Sequence, residues 1–337
     1  MNSKNFLQAF EGRGARVPVW FMRQAGRYLP QYQDLKKKRK LKDLFQTPEL
    51  AAQITLQPVE FLGVDAAILF ADILTLPAQM GFDIDFIDGK GPVVENPITG
   101  PQDVFHMHDF NNLDHVKETV MLTRHDLPPE VALIGFAGSP WTVFSYLLKD
   151  HNALGFNKAI RFAVEHEKEF HAAMRKLTKN TIGYLLLQKE AGIDAFQVFD
   201  TWGGILREAD YKRWVLPYVQ EIFSAVALPS IYYLKNCAHL LSEMEESRAQ
   251  FLSVCETVEI SNSTILNKTK KGVQGNFYNG LLYAKDDVIK KEVVKILRAA
   301  KKRHKKYIFN LNHGVLPDVD PQKLKLIVKT VHAFKWN

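Results

Sequence analysis

Two arginines follow a short apolar stretch near the start of the chain, in the segment Met22 to Pro30, which reads MRQAGRYLP. Guanidinium groups bind carboxylates through paired hydrogen bonds and stay charged at any working pH, whereas a lysine ammonium is only a point charge. Arg23 and Arg27 therefore predict a site for an anionic ligand. Spacing alone also allows the alternative that both form structural ion pairs.

A carboxylate and a phenol stand out in two later apolar runs. Asp72 lies in LFADIL, where a buried carboxylate needs a partner; it either caps the following helix or contacts a ligand. Tyr146 follows GSPWTVFS and could donate a hydrogen bond to a ligand, although a core tyrosine is the commoner case.

His313 lies in NLNHGVLP, between a predicted strand and a helix that begins near Asp320. A histidine there can titrate near neutral pH, or it can be hydrogen-bonded within the loop.

Cys237, His239 and the distant Cys255 are a poor match to a zinc site, which favours a close pair of cysteines. The glycines after the predicted strands lack the spacing of a phosphate-binding loop, so neither a nucleotide cofactor nor a metal is expected.

The composition is that of a globular protein. The 337 residues are 46% hydrophobic and 24% charged, which excludes a disordered chain or a small disulfide-stapled fold. Two cysteines fit a reducing compartment. No apolar stretch has the length of a signal-peptide core or a membrane span, so we expect a cytoplasmic location without membrane contact.

A formal net charge of +7 allows nucleic acid, an acidic membrane or a polyanionic small substrate as the partner. The densest basic runs, Lys36 to Lys40 and Lys301 to Lys306, contain no interleaved aromatic residues and adjoin helical patterns. We interpret both as solvated faces. The expected partner is a small molecule and not nucleic acid.

Short β-branched and aromatic runs alternate with long stretches of helical periodicity, which predicts parallel strands joined by crossover helices. The eight predicted strands are Val17 to Phe21, Ala66 to Phe70, Val131 to Phe136, Ala195 to Phe199, Ser230 to Leu234, Thr257 to Ile260, Gly272 to Gly275 and Tyr307 to Leu311. Eight alternations without a low-complexity linker predict an α/β fold, a single (β/α)₈ TIM barrel over residues 1–337.

Proline and glycine mark the boundaries between these elements. Pro48 and Gly63 bound one predicted helix, and Gly192 ends another that starts at Asn157, with Gly183 as a possible point of division. The segment 81–101 is too rich in turn residues for a crossover helix and predicts a small hairpin insertion after the second strand. Polar residues at strand ends should form the active site, because the carboxyl ends of barrel strands meet at one rim.

Taken together, these motifs resemble the uroporphyrinogen decarboxylase family. MRQAGRYLP is similar to the most characteristic segment of that family, and further matches cover nearly the whole chain. They are Asp72 in LFADIL, Tyr146 after GSPWT, VFDTWGG from Val198 to Gly204, QGN from Gln274 to Asn276, and NHGVLPDVDP from Asn312 to Pro321.

The resemblance implies a cytoplasmic, homodimeric, cofactor-free carboxy-lyase of porphyrin and haem biosynthesis, which converts the four acetate side chains of uroporphyrinogen III to methyls and gives coproporphyrinogen III. It implies catalytic roles for Asp72, Arg23 and Arg27, and the identity of the proton donor stays open. The implied substrate contacts are Arg23, Gln24, Ala25, Gly26, Arg27, Asp72, Tyr146, Thr201 and His313.

Several positions depart from the family pattern. Thr201 replaces a serine, Asn312 replaces a glycine, and Tyr278 with Asn279 replaces an Asp-Pro pair. Asn236 stands where a glycine would follow Lys235, and a Leu-Asp-Trp segment near strand six is missing, with residues 261–263 in its approximate place. Asn312 matters most, because glycine often occupies backbone angles that other residues reach poorly.

Two alternatives stay open at this point. One is a zinc-dependent barrel methyltransferase of the corrinoid or methionine-synthase type, for which Cys237 and His239 are the nearest candidate ligands. The other is a non-catalytic tetrapyrrole-binding paralogue, suggested by the altered loops of the C-terminal half.

Overall fold

The computed structural model describes residues 4–87, 91–148, 157–261, 263–266, 268–303 and 306–336. Its strands are β1 (Ala66–Ile68), β2 (Ile84–Ile87), β3 (Gly91–Val94), β4 (Ala132–Gly138), β5 (Ala195–Asp200), β6 (Ser230–Leu234), β7 (Phe251–Ser253), β8 (Gly272–Phe277) and β9 (Tyr307–Leu311). Seven of them form one parallel sheet in the order β1-β4-β5-β6-β7-β8-β9, and β2 pairs with β3 antiparallel. The predicted hairpin insertion is confirmed.

Helices connect successive strands of the sheet. They are α1 (Asn5–Glu11), α2 (Pro30–Lys36), α3 (Leu41–Gln46), α4 (Pro48–Leu62), α5 (Thr75–Ala78), α6 (Asp114–Asp126), α7 (Pro140–Leu147), α8 (Asn157–Glu165), α9 (Glu167–Ala191), α10 (Glu208–Trp214), α11 (Leu216–Ala225), α12 (Leu241–Glu246), α13 (Asp286–Arg303) and α14 (Pro321–His332). Within the described ranges, no helix combines the length and apolar character needed to span a bilayer.

The segment 17–21 joins the two edges of the sheet. On one side, the Phe309 N–H of β9 donates to the Pro18 carbonyl at 2.9 Å, and Val19 forms an isolated parallel bridge with Phe309. On the other side, the Asp65 N–H donates to the Val19 carbonyl at 2.8 Å, while the Asp65 carboxylate accepts the Val19 N–H at 2.9 Å. The segment therefore takes the place of the predicted first strand, although Pro18 lacks the N–H that a regular ladder needs. The predicted α/β barrel class is confirmed.

Amide side chains fill part of the barrel interior. The Gln274 side chain donates to Gln197 Oε1 and Ser253 Oγ, each at 2.9 Å, and accepts from the Trp20 indole at 3.0 Å. These bonds cross the barrel from β8 to β5 and to the segment 17–21. Fully buried polar groups are stable only when paired in this way, so the network fixes the relative positions of distant strands.

The prediction of a strand at 257–260 was wrong. The strand in that position of the sheet is β7, which pairs with β6 through Ile231 and Phe251 and with β8 through Ser253 and Gln274. After α12, Arg248 adopts a left-handed backbone (φ 69°), and the chain enters the sheet directly. The predicted segment belongs to the loop after β7, where Thr257 and Glu259 are exposed.

Most predicted boundaries are confirmed, with one exception. Helix α4 begins at Pro48 and is capped at its C-terminus by Gly63 (φ 72°), and α9 is capped in the same way by Gly192 (φ 117°). Gly183 does not divide the long helix; the break lies at His166, between α8 and α9. A Cβ at Gly183 would lie 2.9 Å from the Phe110 ring, so this glycine serves close packing and not a helix end.

The basic runs lie on the surface where they are described. Residues 37–40 are exposed, as are Lys301 and Lys302, which confirms their interpretation as solvated faces; residues 304–305 lie outside the described ranges.

Candidate active site

Gln24 holds the turn that carries the two arginines. Its fully buried amide accepts the Phe21 N–H at 3.0 Å and donates to the Ala66 carbonyl at 2.9 Å, which ties the turn to β1. Its backbone carbonyl accepts the Tyr28 hydroxyl at 2.8 Å. Ala25 and Gly26 are half-buried in the same turn, closed by a bond from the Leu29 N–H to the Gly26 carbonyl at 3.0 Å.

Arg23 projects from this turn in a left-handed backbone conformation (φ 60°), which is uncommon for a residue with a side chain. Its side chain lies against Gly314, where a Cβ would be 2.3 Å from Arg23 Cδ. The glycine after His313 therefore leaves the space that Arg23 fills. Arg23 and Arg27 are both exposed, and neither guanidinium forms an ion pair or hydrogen bond with the described residues. The two charges are available to an anionic ligand.

Asp72 combines the two roles that its sequence position allows. Its Oδ1 accepts the Leu74 N–H at 2.9 Å, so it caps the turn before α5. Its Oδ2 has no hydrogen-bond partner among the described side chains and backbone groups. Burial raises the pKa of the carboxyl, while the Leu74 bond and the Arg23 charge partly oppose that rise. The second oxygen is the one that can face a ligand.

Tyr146 lies in the same electrostatic neighbourhood. Burial raises the pKa of its phenol. The negative charge of Asp72 adds to that rise, and the positive charge of Arg23 opposes it. Its ring meets the Trp202 indole edge to face, with centroids 6.4 Å apart. Thr201, one residue before Trp202, is half-buried at the end of β5.

Asp200 fixes this end of β5. It accepts the Thr142 hydroxyl at 2.6 Å, the Gly203 N–H at 3.0 Å and the Tyr232 hydroxyl at 2.7 Å. Complete burial raises its pKa. Since every bond runs to α7, β6 or the adjacent turn, Asp200 positions Thr201 and Trp202 and does not itself reach the rim.

His313 follows β9 and lies near Arg23, whose charge acts on it. Burial, together with the charges of Arg23 and Lys235, lowers its pKa to about 3. Two cations and a poorly solvated position thus disfavour the imidazolium, which argues against the titration near neutrality that the sequence allows. A neutral His313 can still donate a hydrogen bond to a carboxylate.

Lys235 belongs to the site and was given no role by the sequence beyond its position after a strand. Its ammonium lies 5.5 Å from the Trp202 ring centroid, a cation–π arrangement. It acts on His313 together with Arg23, so the three side chains line one rim. The general rule that rim residues of a barrel are functional was the only sequence signal for Lys235.

Two departures from the family pattern bond to each other. The Asn279 N–H donates to Asn312 Oδ1 at 2.8 Å, and Asn312 Nδ2 donates to Glu256 at 2.8 Å. The proline and glycine expected at these positions could form neither bond, since proline lacks an N–H and glycine lacks a side chain. Asn312 is also outside the left-handed region, so it carries no backbone strain.

Asn236, which stands where the family pattern has a glycine, does have a backbone conformation that favours glycine. It adopts φ 56°, and asparagine is among the residues best tolerated there. Of the departing segment 261–263, residue 262 lies outside the described ranges.

The three candidate metal ligands do not meet at one point. His239 Nε2 donates to the Leu206 carbonyl at 2.9 Å, whereas Cys237 and Cys255 face each other. No group of three histidine, cysteine or acidic side chains in the described part of the chain is arranged to hold a metal ion.

Comparisons with known proteins identify the family to which the chain belongs. A family model described as Uroporphyrinogen decarboxylase (URO-D) matches residues 1–334. The uroporphyrinogen decarboxylases of Christiangramia forsetii and Thermodesulfovibrio yellowstonii are 40% and 41% identical over 335 residues, which is 98% of this chain and of each relative.

Two solved structures are similar in fold. A methyltransferase from Methanosarcina mazei has a TM-score of 0.81 at 20% identity and 97% coverage of both chains. A B12-independent methionine synthase from Shewanella sp. W3-18-1 has a TM-score of 0.60 at 13% identity, with 87% of each chain covered. At this identity the likeness shows the barrel fold alone.

Proposed function

The chain belongs to the uroporphyrinogen decarboxylase family, and from this premise we propose that it removes carbon dioxide from the four acetate side chains of uroporphyrinogen III to give coproporphyrinogen III in haem biosynthesis. The observation that supports the proposal is that Arg23 lies close enough to Asp72, Tyr146 and His313 for its charge to act on all three. The reaction makes the protein a carboxy-lyase.

The reaction needs an electron sink that the substrate itself can supply. Protonation of a pyrrole α-carbon makes a ring cation, which accepts the electron pair of the breaking bond between the acetate methylene and its carboxylate. Carbon dioxide leaves, a proton takes its place on the methylene, and loss of the first proton restores the pyrrole. No cofactor is required for this sequence.

Asp72 is suited to stabilise the ring cation. Its Oδ1 is held by the Leu74 N–H, which leaves Oδ2 to accept hydrogen bonds from pyrrole N–H groups. A fixed negative charge in a poorly solvated site stabilises a developing cation without having to reorganise.

The cationic and neutral donors around Asp72 are suited to the substrate carboxylates. Arg23 and Arg27 offer unpaired guanidiniums, and Lys235 adds an ammonium whose charge, like that of Arg23, acts on His313. Tyr146 and Thr201 supply hydroxyl groups, and the Gln24-Ala25-Gly26 turn holds the arginines in place.

The test is anaerobic incubation of the purified protein with uroporphyrinogen III, followed by chromatography of the oxidised products. We expect porphyrins with progressively fewer carboxylates, ending at coproporphyrin, and the same result after treatment with a chelator. Tight binding without carbon dioxide release would make the chain a non-catalytic paralogue. Loss of activity on chelation, restored by zinc, would refute the cofactor-free mechanism.

A homodimer and a cytoplasmic location are part of the same proposal, since the family resemblance implies both. Light scattering should give about twice the chain mass of 38.5 kDa. A monomer at micromolar concentration would remove the dimer from the proposal and leave the chemistry untouched.

A further inference from the structure

Two cysteines outside the proposed reaction lie in contact between neighbouring strands. Cys237 follows β6 and Cys255 follows β7, and their Sγ atoms are 3.4 Å apart. The Cys237 N–H donates to Cys255 Sγ at 3.2 Å, and the Cys255 N–H donates to Cys237 Sγ at 3.3 Å. Each sulfur is therefore oriented by the backbone of the other residue.

The two thiols differ in character. The Cys237 S–H donates to Cys255, and that bond, with help from the Thr257 hydroxyl, lowers the pKa of Cys255 to about 5. Burial raises the pKa of Cys237. Two donors aimed at the Cys255 sulfur, the Cys237 N–H and S–H, thus favour a thiolate at Cys255 beside a thiol at Cys237. This is the combination found in redox-active cysteine pairs with an attacking and a resolving residue.

Cys255 lies just below the protein surface. It is itself buried, but Glu256 and Thr257 follow it directly and are exposed, and the Thr257 hydroxyl is 3.1 Å from its sulfur. A small oxidant such as a peroxide therefore has only a short path to Cys255. Cys237 is fully buried and depends on Cys255 for its oxidation.

We propose that Cys237 and Cys255 form a peroxide-oxidisable pair whose disulfide reversibly lowers the activity of the site. The Cys255 thiolate attacks one oxygen of hydrogen peroxide, breaks the O–O bond and becomes a sulfenic acid with release of hydroxide. The Cys237 sulfur then attacks Cys255 Sγ, forms the S–S bond and expels water. Overall, two thiols lose two electrons and two protons, and peroxide becomes two waters.

Formation of the disulfide affects the two segments that follow β6 and β7. The sulfurs must approach from 3.4 Å to about 2.05 Å, which draws the ends of β6 and β7 together. Lys235 lies two residues before Cys237, and Glu256, next to Cys255, accepts from Asn312 beside His313. The predicted loss of activity follows from the displacement of Lys235 and His313; this part rests on the proposed function, whereas disulfide formation does not.

The chemical test uses intact mass and thiol counting on the full chain after treatment with hydrogen peroxide. Because the chain has two cysteines, we expect both thiols to disappear with a loss of about 2 Da in the monomer, both reversed by dithiothreitol. In C237S, the sulfenic acid should persist as a gain of about 16 Da that dimedone traps. Persistence of both thiols, a chain-to-chain disulfide, or a sulfinic acid in the wild type would overturn the pair.

The activity test compares wild type with the C237S/C255S double variant, whose untreated activity should equal that of the wild type. We expect peroxide to lower wild-type kcat/KM at least about fivefold, dithiothreitol to restore it, and the double variant to be unaffected. Full activity of the disulfide form would overturn the regulatory role. If no form decarboxylates, the proposed function fails while the mass measurement still decides whether the pair exists.

Discussion

Asp72 shows how one side chain can combine a structural role with the proposed chemistry through different atoms. Oδ1 accepts the Leu74 N–H and so orders the turn, while Oδ2 is the atom that we propose faces the substrate. The two alternatives weighed from the sequence, a cap and a ligand contact, are compatible with each other. A substitution that removes only the charge can separate them.

We expect Asp72→Asn to fold normally and to lose about 10² or more in kcat, because the amide oxygen keeps the cap but the charge facing the ring cation is gone. Asp72→Ala should lose the same activity and also about 1 kcal/mol of stability, since the cap disappears. Thermal melting and steady-state kinetics measure the two effects. Wild-type kcat in Asp72→Asn would show that the residue acts only as a cap.

Arg27→Lys should weaken catalysis although it conserves charge, because lysine cannot form the paired hydrogen bonds of a guanidinium. The expected loss is about 1 to 3 kcal/mol in kcat/KM with an unchanged melting temperature. Arg13→Lys is the control, because Arg13 forms an exposed ion pair with Glu11 at 2.9 Å. Equal kcat/KM for the two variants would remove Arg27 from the site.

His313 should make the folded protein less stable in acid. Its pKa is about 3 in the fold against a usual value of 6.5, so the unfolded chain binds the proton first as the pH falls through that interval. Its contribution is absent above about pH 6.5 and grows as a destabilisation toward pH 3. His313→Gln should therefore lose less stability than the wild type between neutral pH and about pH 5.

Melting temperatures measured across that interval test the effect. His106→Gln serves as the control, because the His106 side chain is 81% exposed. If His313→Gln and the wild type have parallel curves, Arg23 and Lys235 do not hold His313 neutral.

At the level of elements, the site depends on close contacts between successive strand ends. Gly204, after β5, packs so tightly against the next rim segment that a Cβ would lie 1.9 Å from the Lys235 carbonyl. The glycine pair in VFDTWGG thus has a packing role. It lets the loop that carries Trp202 and the end of β6 lie side by side.

Gly204→Ala should cost roughly 1 to 3 kcal/mol of stability and displace Lys235, because backbone atoms cannot move aside as a flexible side chain would. We expect a raised KM in whatever fraction folds. Gly100→Ala is the matched control, since nothing lies within 4 Å of a Cβ there. Chemical denaturation measures the free energy of unfolding of both variants. Similar values for the two would show that the loop adapts to the added Cβ.

The sequence predicted strands best where an apolar run was bounded on both sides. Ser230 to Leu234 and Tyr307 to Leu311 have the predicted bounds. The prediction of strand six was wrong for two reasons. The true strand, Phe251–Ser253, is only three residues long and follows α12 closely, and the segment 257–260 has the alternating pattern of a strand but lies in a loop. Three-residue strands are specified by their neighbours in the sheet more than by their own residues.

The site was predictable in part for a related reason. Residue types and strand ends pointed to Arg23, Asp72 and His313, because charge after an apolar strand is conspicuous. The lowered pKa of His313 and the position of Lys235 beside it depend on which strand ends meet, and that information is tertiary. The bond between Asn279 and Asn312 links positions 33 residues apart and was equally invisible.

For the molecule as a whole, charge should govern substrate capture. We expect a chain of net charge +7 with unpaired arginines in its proposed site to attract a substrate that carries eight carboxylates. We expect kcat/KM for uroporphyrinogen to fall several-fold between about 50 and 500 mM salt. Partly decarboxylated intermediates should show a shallower dependence, and a salt-independent kcat/KM would contradict electrostatic capture.

The contact between the arginine turn and the last strand has a consequence for how the enzyme comes into being on the ribosome. The Met22 N–H donates to Asn310 Oδ1 across 288 residues of chain, and Arg23 lies on Gly314. At 5 to 20 residues per second, roughly 15 s or more separate the synthesis of the arginines from that of the residues that seat them. A nascent chain therefore carries the arginines of the proposed site long before the residues that hold them in place exist, so we expect activity to begin only after the last strand is made.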